Sequence, residues 1–418
     1  MKQLLRTLTI SAALGGLGIG NTSAADWPQW RGADRADHSP DRGLLKQWPA
    51  GGPKRVWLNE NVGLGYSGYS IVGGKLFTMG LRDDTEFLIA LDANTGKELW
   101  ATKVGAKYEN NWGDGPRGTP TVDGDRVYAL GAKGDLICAQ AGDGKPVWTV
   151  SLVTEFGGAI QDWGYTESVL VDGDQLVCTP GGSKATLAAL DKLTGKTKWQ
   201  TAKLDQNSHY SSPIVIEHGG RRQYVKLTEK KILGVEATSG KVLWQADFPG
   251  NTAVIPTPVY ADGQIYVSAG YRVGCMAVKI APDNSSATVA FQNTIMKNHH
   301  GGVIKVGDFL YGHSDIPESG WVCQNWKTGK EVWRKADLGK GAVHFADGML
   351  YCLTEDKGIV ALVEASPAGW KEVSRFELSP KTSKRKPQGR IWTHPVVVNG
   401  KLYLRDQELL FCFDVKGS

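Results

Sequence analysis

Ala90-Leu91-Asp92-Ala93-Asn94-Thr95-Gly96-Lys97-Glu98-Leu99-Trp100 reads as a short strand, a turn built on Thr-Gly-Lys, and a second strand ending in tryptophan. The same unit returns as Gly144-Lys145-Pro146-Val147-Trp148, Thr194-Gly195-Lys196-Thr197-Lys198-Trp199, Ser239-Gly240-Lys241-Val242-Leu243-Trp244 and Thr328-Gly329-Lys330-Glu331-Val332-Trp333. Weaker copies end on Phe291 and Phe376. With Trp57 as the first member, these aromatics are 43, 48, 51, 45, 47, 42 and 43 residues apart. A strand-rich period in the forties is the length of one four-stranded propeller blade.

A second signal lies upstream in each unit, where an apolar strand is interrupted by a turn dipeptide, as in Val122-Asp123-Gly124-Asp125-Arg126-Val127-Tyr128. Comparable turns stand at Gly73-Gly74, Asp172-Gly173, Asp262-Gly263, Gly307-Asp308, Asp347-Gly348 and Asn399-Gly400. Such dipeptides accept the positive φ of tight hairpins, so the two inner strands of each blade are joined directly. The fourth unit is expected to depart from this, with a longer loop at Glu217 to Arg222. No helical periodicity of useful length appears, which makes the class all-β.

The blade count follows from the ends of the repeat. The last unit runs through Lys401-Leu402-Tyr403-Leu404 and Leu410-Phe411-Cys412-Phe413-Asp414 without an outermost strand, while Pro53-Lys54-Arg55-Val56-Trp57 matches that strand and has no complete unit before it. A final blade lacking a strand would expose an unpaired edge, and sharing it between both parts of the chain removes that edge. The expectation is an eight-bladed β-propeller of four-stranded antiparallel blades over 53–418, closed by an N-terminal strand and read as a monomer.

Upstream of the repeat, Lys2 and Arg6, an uncharged apolar stretch from Leu8 to Gly20, and small residues at Thr22 to Ala25 have the order of a secretory signal peptide over 1–25. An extended segment, 26–52, follows. The reading places the protein outside the cytoplasm, in a periplasm or the medium. No later apolar run is long enough to cross a bilayer. The formal charge of +5 falls to +3 without Lys2 and Arg6, too small to argue for a nucleic-acid partner. A basic cluster, Lys381, Lys384, Arg385, Lys386 and Arg390, reads most simply as a solvated loop, with an anionic partner as the other reading.

Six cysteines in an exported chain invite disulfides, but the repeat register argues otherwise. Cys138, Cys323 and Cys412 share a strand position with Ala90, Ala189, Gly234 and Ala361, a site for small residues. Cys178 and Cys352 share another position across the ring, and Cys275 has no mate. Six free, buried thiols are expected. There is no Cys-x-x-Cys pair for a metal or redox site.

The Ala-x-Asp-x-x-Thr-Gly-Lys-x-x-Trp pattern resembles the repeat of pyrroloquinoline quinone (PQQ) dehydrogenases and covers 53–414. With its leading Trp27-Pro28-Gln29-Trp30-Arg31-Gly32, the chain is also similar to exported bacterial PQQ-like propeller proteins and to the propeller lipoprotein of the outer-membrane β-barrel assembly machine. The first resemblance implies PQQ held with calcium and oxidation of alcohols or sugars. The last implies a non-catalytic scaffold that binds a protein or glycan in the cell envelope. Quinoprotein dehydrogenases carry two adjacent cysteines over the quinone, and no two cysteines here are adjacent. The lipidated cysteine of the assembly lipoprotein likewise has no counterpart.

Aligning the units on their hairpin turns places one residue per blade just before the innermost strand, around one mouth of the channel. These are Tyr66, Arg117, Thr166, Tyr210, Ile255, His300, Lys340 and Trp392, with Trp163, Tyr165, Glu167, His209, His299 and His394 one step away. Aromatic faces, cations and imidazoles converging on one axis suit a small-molecule pocket, in which Arg117 and Lys340 would pair with acidic groups of a ligand such as PQQ. The ordinary reading is a wet channel rim with solvated histidines and surface ion pairs. A metal held by His299, His300 and His209 has no recognised ligand spacing. Trp112, Trp163, Trp321 and Trp326 are expected to pack between blades or over the rim.

Overall fold

The computed structural model describes residues 26–182, 184–202, 204 and 207–417, so the stretch read as a signal peptide lies outside the described residues. Eight four-stranded antiparallel arrays form eight blades. Blade 1 comprises Ser70–Val72, Lys75–Arg82, Thr85–Asp92 and Glu98–Ala106. Blades 2 to 7 follow over 121–151, 170–200, 214–247, 259–293, 303–335 and 341–377. Blade 8 takes Val396–Val398, Lys401–Asp406 and Leu409–Asp414 from one end and Arg55–Asn59 from the other. A short helix, Leu152–Phe156, is capped by the Ser151 side chain.

Closure occurs where the repeat predicted it. Arg55–Asn59 pairs antiparallel with the last strand, Trp57 opposite Cys412, with a bulge between Arg55 and Trp57. The outer strand of blade 2 bulges at the equivalent place, between Pro146 and Trp148. The borrowed strand is therefore a structural copy of the others and removes the open edge.

The signature residues lock blade to blade. Trp57 Nε1 donates to the Ala93 carbonyl on blade 1 at 3.0 Å, and Trp199 of blade 3 donates likewise to Ala237 of blade 4. The turn glycine of the next blade must lack a side chain, because a Cβ on Gly96 would lie 2.6 Å from the Trp57 ring. Within a blade, the same indole lies over the small residue opposite it: Ala90 faces Trp100, Cys138 faces Trp148 and Gly234 faces Trp244. All six cysteines are free and buried.

Blade 4 corrects one expectation. Glu217 and Arg222 are paired strand residues, as are His218 and Arg221, so the connection is a two-residue Gly219-Gly220 turn on a longer hairpin. Both glycines have positive φ, like the other hairpin turns.

Residues 27–39 enter the channel and touch every blade. Trp27 exchanges backbone hydrogen bonds with Ile71 of blade 1, and the Pro28 carbonyl accepts from Val122 N–H of blade 2. Arg35 donates to the carbonyls of Ser168 and Val169 on blade 3 and Pro213 on blade 4. Trp30 Nε1 reaches Thr257 of blade 5 at 2.9 Å, and Arg31 reaches the Val303 carbonyl of blade 6 at 2.7 Å. His38–Ser39 pairs in parallel with Phe345 and Ala346 of blade 7. Asp37 accepts from His344 Nδ1 at 2.8 Å and lies 3.7 Å from His394 of blade 8.

Val397 N–H donates to His344 Nε2, so the proton of that imidazole sits on Nδ1 and points at Asp37. Burial works against the Asp37 charge, but the histidine hydrogen bonds and Arg31 outweigh it and hold the carboxyl below its ordinary range. Arg31, Arg35 and Asp37 all adopt positive φ, a conformation costing roughly 1–2 kcal/mol each. Their buried hydrogen bonds to the inner strands hold them there.

Candidate functional site

The plug turns the channel into a cup. Connectors from each outer strand to the next inner strand emerge on one face, together with the loops between second and third strands. There they surround about 1100 Å³ of empty space, part of it open to solvent. Trp30 of the plug lines the cup. Seven of the eight residues predicted around the mouth line it too: Tyr66, Arg117, Thr166, Tyr210, Ile255, His300 and Trp392. Trp163, His299 and His394 join them.

Lys340 does not line the cup. Its ammonium donates to His299 Nδ1 at 2.7 Å and lies 3.3 Å from Asp315 and 3.6 Å from Glu355, which neutralise it. Tyr165 is buried with its hydroxyl on the Pro180 carbonyl. Glu167 is buried against Lys226 and accepts from Thr179 N–H. His209 turns to Val254 N–H and Glu229, away from the His299–His300 pair.

Sequence reasoning missed Trp30, Tyr271, Ser168, Ser212 and Thr257, all of which line the cup. Trp30 had a signal in the leading Trp-Pro-Gln-Trp motif, but nothing local says that this segment folds back along the axis. Tyr271 lies in a loop between the second and third strands, a class of loop that opens on the same face as the connectors. Trp112, expected to pack over the rim, lines the cup and remains 41% exposed. Trp321 and Trp326 are buried in the core.

One wall is a run of rings. His299 and His300 have centroids 3.8 Å apart, and His300 stacks on Trp392 at 4.5 Å and 27°. Trp392 is held by Glu355, which accepts from its Nε1 at 3.0 Å, and packs on Tyr66 at 5.0 Å. Burial, then the nearby Lys340 charge, pushes His299 down to about 3. Burial also drives His300 well below its ordinary value. Both are neutral at physiological pH. Burial raises the Tyr66 hydroxyl to about 12. Arg117 stands between the rings of Tyr66 and Tyr108, 5.7 and 4.9 Å from their centroids, and donates to the carbonyls of Gly115 and Gly113. Among the described residues the lining contains no Asp, Glu, Cys or Lys.

These residues do not fit calcium-bound PQQ. Calcium needs several oxygen ligands, usually including carboxylates. Among the described residues no three His, Cys, Asp or Glu side chains come together to hold a metal, and the carboxylates beside the lining histidines are engaged elsewhere, Glu355 and Asp315 by Lys340 and Trp392 and Asp37 by His344 and Arg31. The basic cluster is also self-neutralised: Lys381 pairs with Glu377, Lys384 with Glu408, Arg385 with Asp406, Lys386 with Asp114 and Arg390 with Asp356. It presents no free basic patch, and Lys386 ties this loop across to the loop that carries Trp112. Among the described residues no helix is long and apolar enough to cross a membrane.

Known proteins share this architecture. The profile of the family described as outer membrane protein assembly factor BamB matches residues 84–335, more than half of the chain. Outer membrane protein assembly factor BamB of Yersinia pestis is 25% identical over 237 residues, covering 52% of this chain and 56% of that protein. The chain spans about half the length of the curated relatives it matches. Among solved structures, BamB from Moraxella catarrhalis gives a TM-score of 0.61 at 15% identity, over 87% of this chain and 98% of that one. Quinohemoprotein alcohol dehydrogenase ADHIIG from Pseudomonas putida HK5 gives 0.66 at 12% identity, over 94% and 81%. At these identities the structural likeness shows the fold alone.

Proposed function

We propose, from the premise that this chain belongs to the family of outer membrane protein assembly factor BamB, that it works outside the cytoplasm as a non-catalytic binding or assembly scaffold. The observation that carries this reading is the aromatic cup, floored by the plug and lined, among the described residues, by no carboxylate or thiol that could serve as acid, base or nucleophile. The same face exposes Trp112, Ile160, Tyr271 and Ile316, an apolar rim suited to a protein partner in the cell envelope. Glycans and small molecules are the other ligands such a cup accommodates.

Photo-crosslinkers at Trp112 and at Leu193, which lies in a turn on the opposite face, test the reading in envelope extract. A discrete adduct from Trp112 and none from Leu193 is expected; equal labelling from both, or none, would overturn it. The alternative, a PQQ-dependent dehydrogenase, is opposed by the absence among the described lining residues of carboxylates that would hold calcium beside the quinone. Dye-linked oxidation of alcohols or sugars after loading with PQQ and calcium is the measurement that would establish it over the scaffold.

A further inference from the structure

We propose that the cup takes a planar aromatic group bearing one carboxylate, with Arg117 as the partner of that carboxylate. The proposal rests on the binding reading above and adds the chemical class of the ligand.

The walls supply the first half of the argument. Trp30, Tyr66, Trp163, Tyr210, Tyr271 and Trp392 present rings to one space, and aromatic side chains gain most from stacked or edge-on contact with another ring. A cage of rings also attracts cations. Here that outcome is opposed, because the described lining holds no Asp or Glu and already contains a guanidinium.

Arg117 supplies the second half. Two of its N–H groups are spent on the Gly113 and Gly115 carbonyls, and a guanidinium has five. The rings of Tyr66 and Tyr108 pack against the guanidinium, and three N–H groups remain to meet a carboxylate. The acids nearest to it are committed elsewhere: Asp114 accepts from Lys386 Nζ at 2.6 Å, and Glu86 is buried and accepts from Ala132 N–H at 2.9 Å. Lys340, Arg385, Lys386 and Arg390, which lie on the same face, each have a carboxylate of their own.

Arg117 is the one Arg or Lys among the described lining residues, and one cation in the cup matches one acidic group. A ligand with two or three carboxylates would bury the others among rings without a partner, at high cost. This distinguishes the expected ligand from PQQ, which is a tricarboxylate. The chemistry has two sources, a free aromatic acid or an aromatic residue at the carboxyl terminus of a polypeptide.

Calorimetric titration of the full chain with indole-3-acetate, indole-3-acetamide and tryptamine tests the class. A peptide ending in phenylalanine, as free acid and as amide, tests the source. The acids are expected to bind about tenfold or more tightly than their amides, and tryptamine least. In Arg117→Gln the acid-to-amide ratio should collapse towards one, while Arg117→Lys keeps part of it. The ratio in the unmodified protein is informative even if a variant folds poorly. A peptide acid binding more tightly than indole-3-acetate identifies a polypeptide terminus as the source, and the reverse order a small molecule; both uphold the class. An amide or tryptamine binding as well as the acid overturns the proposal, as does an unchanged ratio in folded Arg117→Gln or no binding by any acid at about 1 mM. If the acids fail while the Trp112 crosslink persists, the ligand class falls and the scaffold stands; if the acids bind and no crosslink forms, the scaffold falls and the ligand class stands.

Discussion

Glu86 shows how much one side chain's chemistry depends on its surroundings. It is fully buried, with one oxygen on Ala132 N–H and the other without a hydrogen-bond partner. Burial lifts its carboxyl from 4.5 to about 7. Between those values the native state holds a proton that the unfolded chain has lost, so stability falls as pH rises through this window. The loss is about 3 kcal/mol when complete, at 1.36 kcal/mol per pH unit. Glu86→Gln is expected to flatten the pH dependence, read as urea midpoints at about pH 5 and about pH 8. A variant with the parent's slope would disprove this account. Nothing in the sequence singles out Glu86, because its neighbours Ala132 and Asp135 come from the next blade. The small-residue position of Cys138 and Cys412 was legible from register alone, and the structure adds its cause in the opposing indole.

Strands and turns are the scale at which this chain is most readable. Alternation, turn dipeptides and the recurrent tryptophan each mark a local element, and Pro53 to Trp57 is recognisable as the outer strand of blade 8. Removing Arg55–Asn59 takes away Trp57, whose loss alone costs about 3–5 kcal/mol by the general measure for a buried large aromatic. It also exposes the backbone edge of Leu409–Asp414. Deletion of 55–59 is therefore expected to lower thermal stability sharply and to promote association through the open edge, checked by calorimetry and light scattering. Unchanged melting would contradict the closure. The one element misjudged, the blade 4 hairpin, failed because counting the six residues from Glu217 to Arg222 does not reveal that four of them pair.

At the scale of the whole molecule, the plug decides what the ring becomes. Replacing 27–39 by a glycine–serine stretch of equal length keeps the closing strand but removes Trp30, Arg31, Arg35 and Asp37 from the axis. The expected result is retained β-structure by circular dichroism, a melting temperature lower by on the order of 10 °C, and loss of ligand binding at the cup. Full binding by that chain would show that the plug is no part of the site.

The sequence by itself determined the all-β class, the eight units, the shared blade and seven of the eight side chains at the mouth, because each of these is written in short-range periodicity that repeats. Only the tertiary structure decided that the channel is sealed, that Lys340 is neutralised while Arg117 lines the cup, and that Trp30 joins Tyr210 in the wall of the cup. Those facts depend on which groups from distant blades meet at the axis, and no local pattern encodes the distance or the burial that sets their charge.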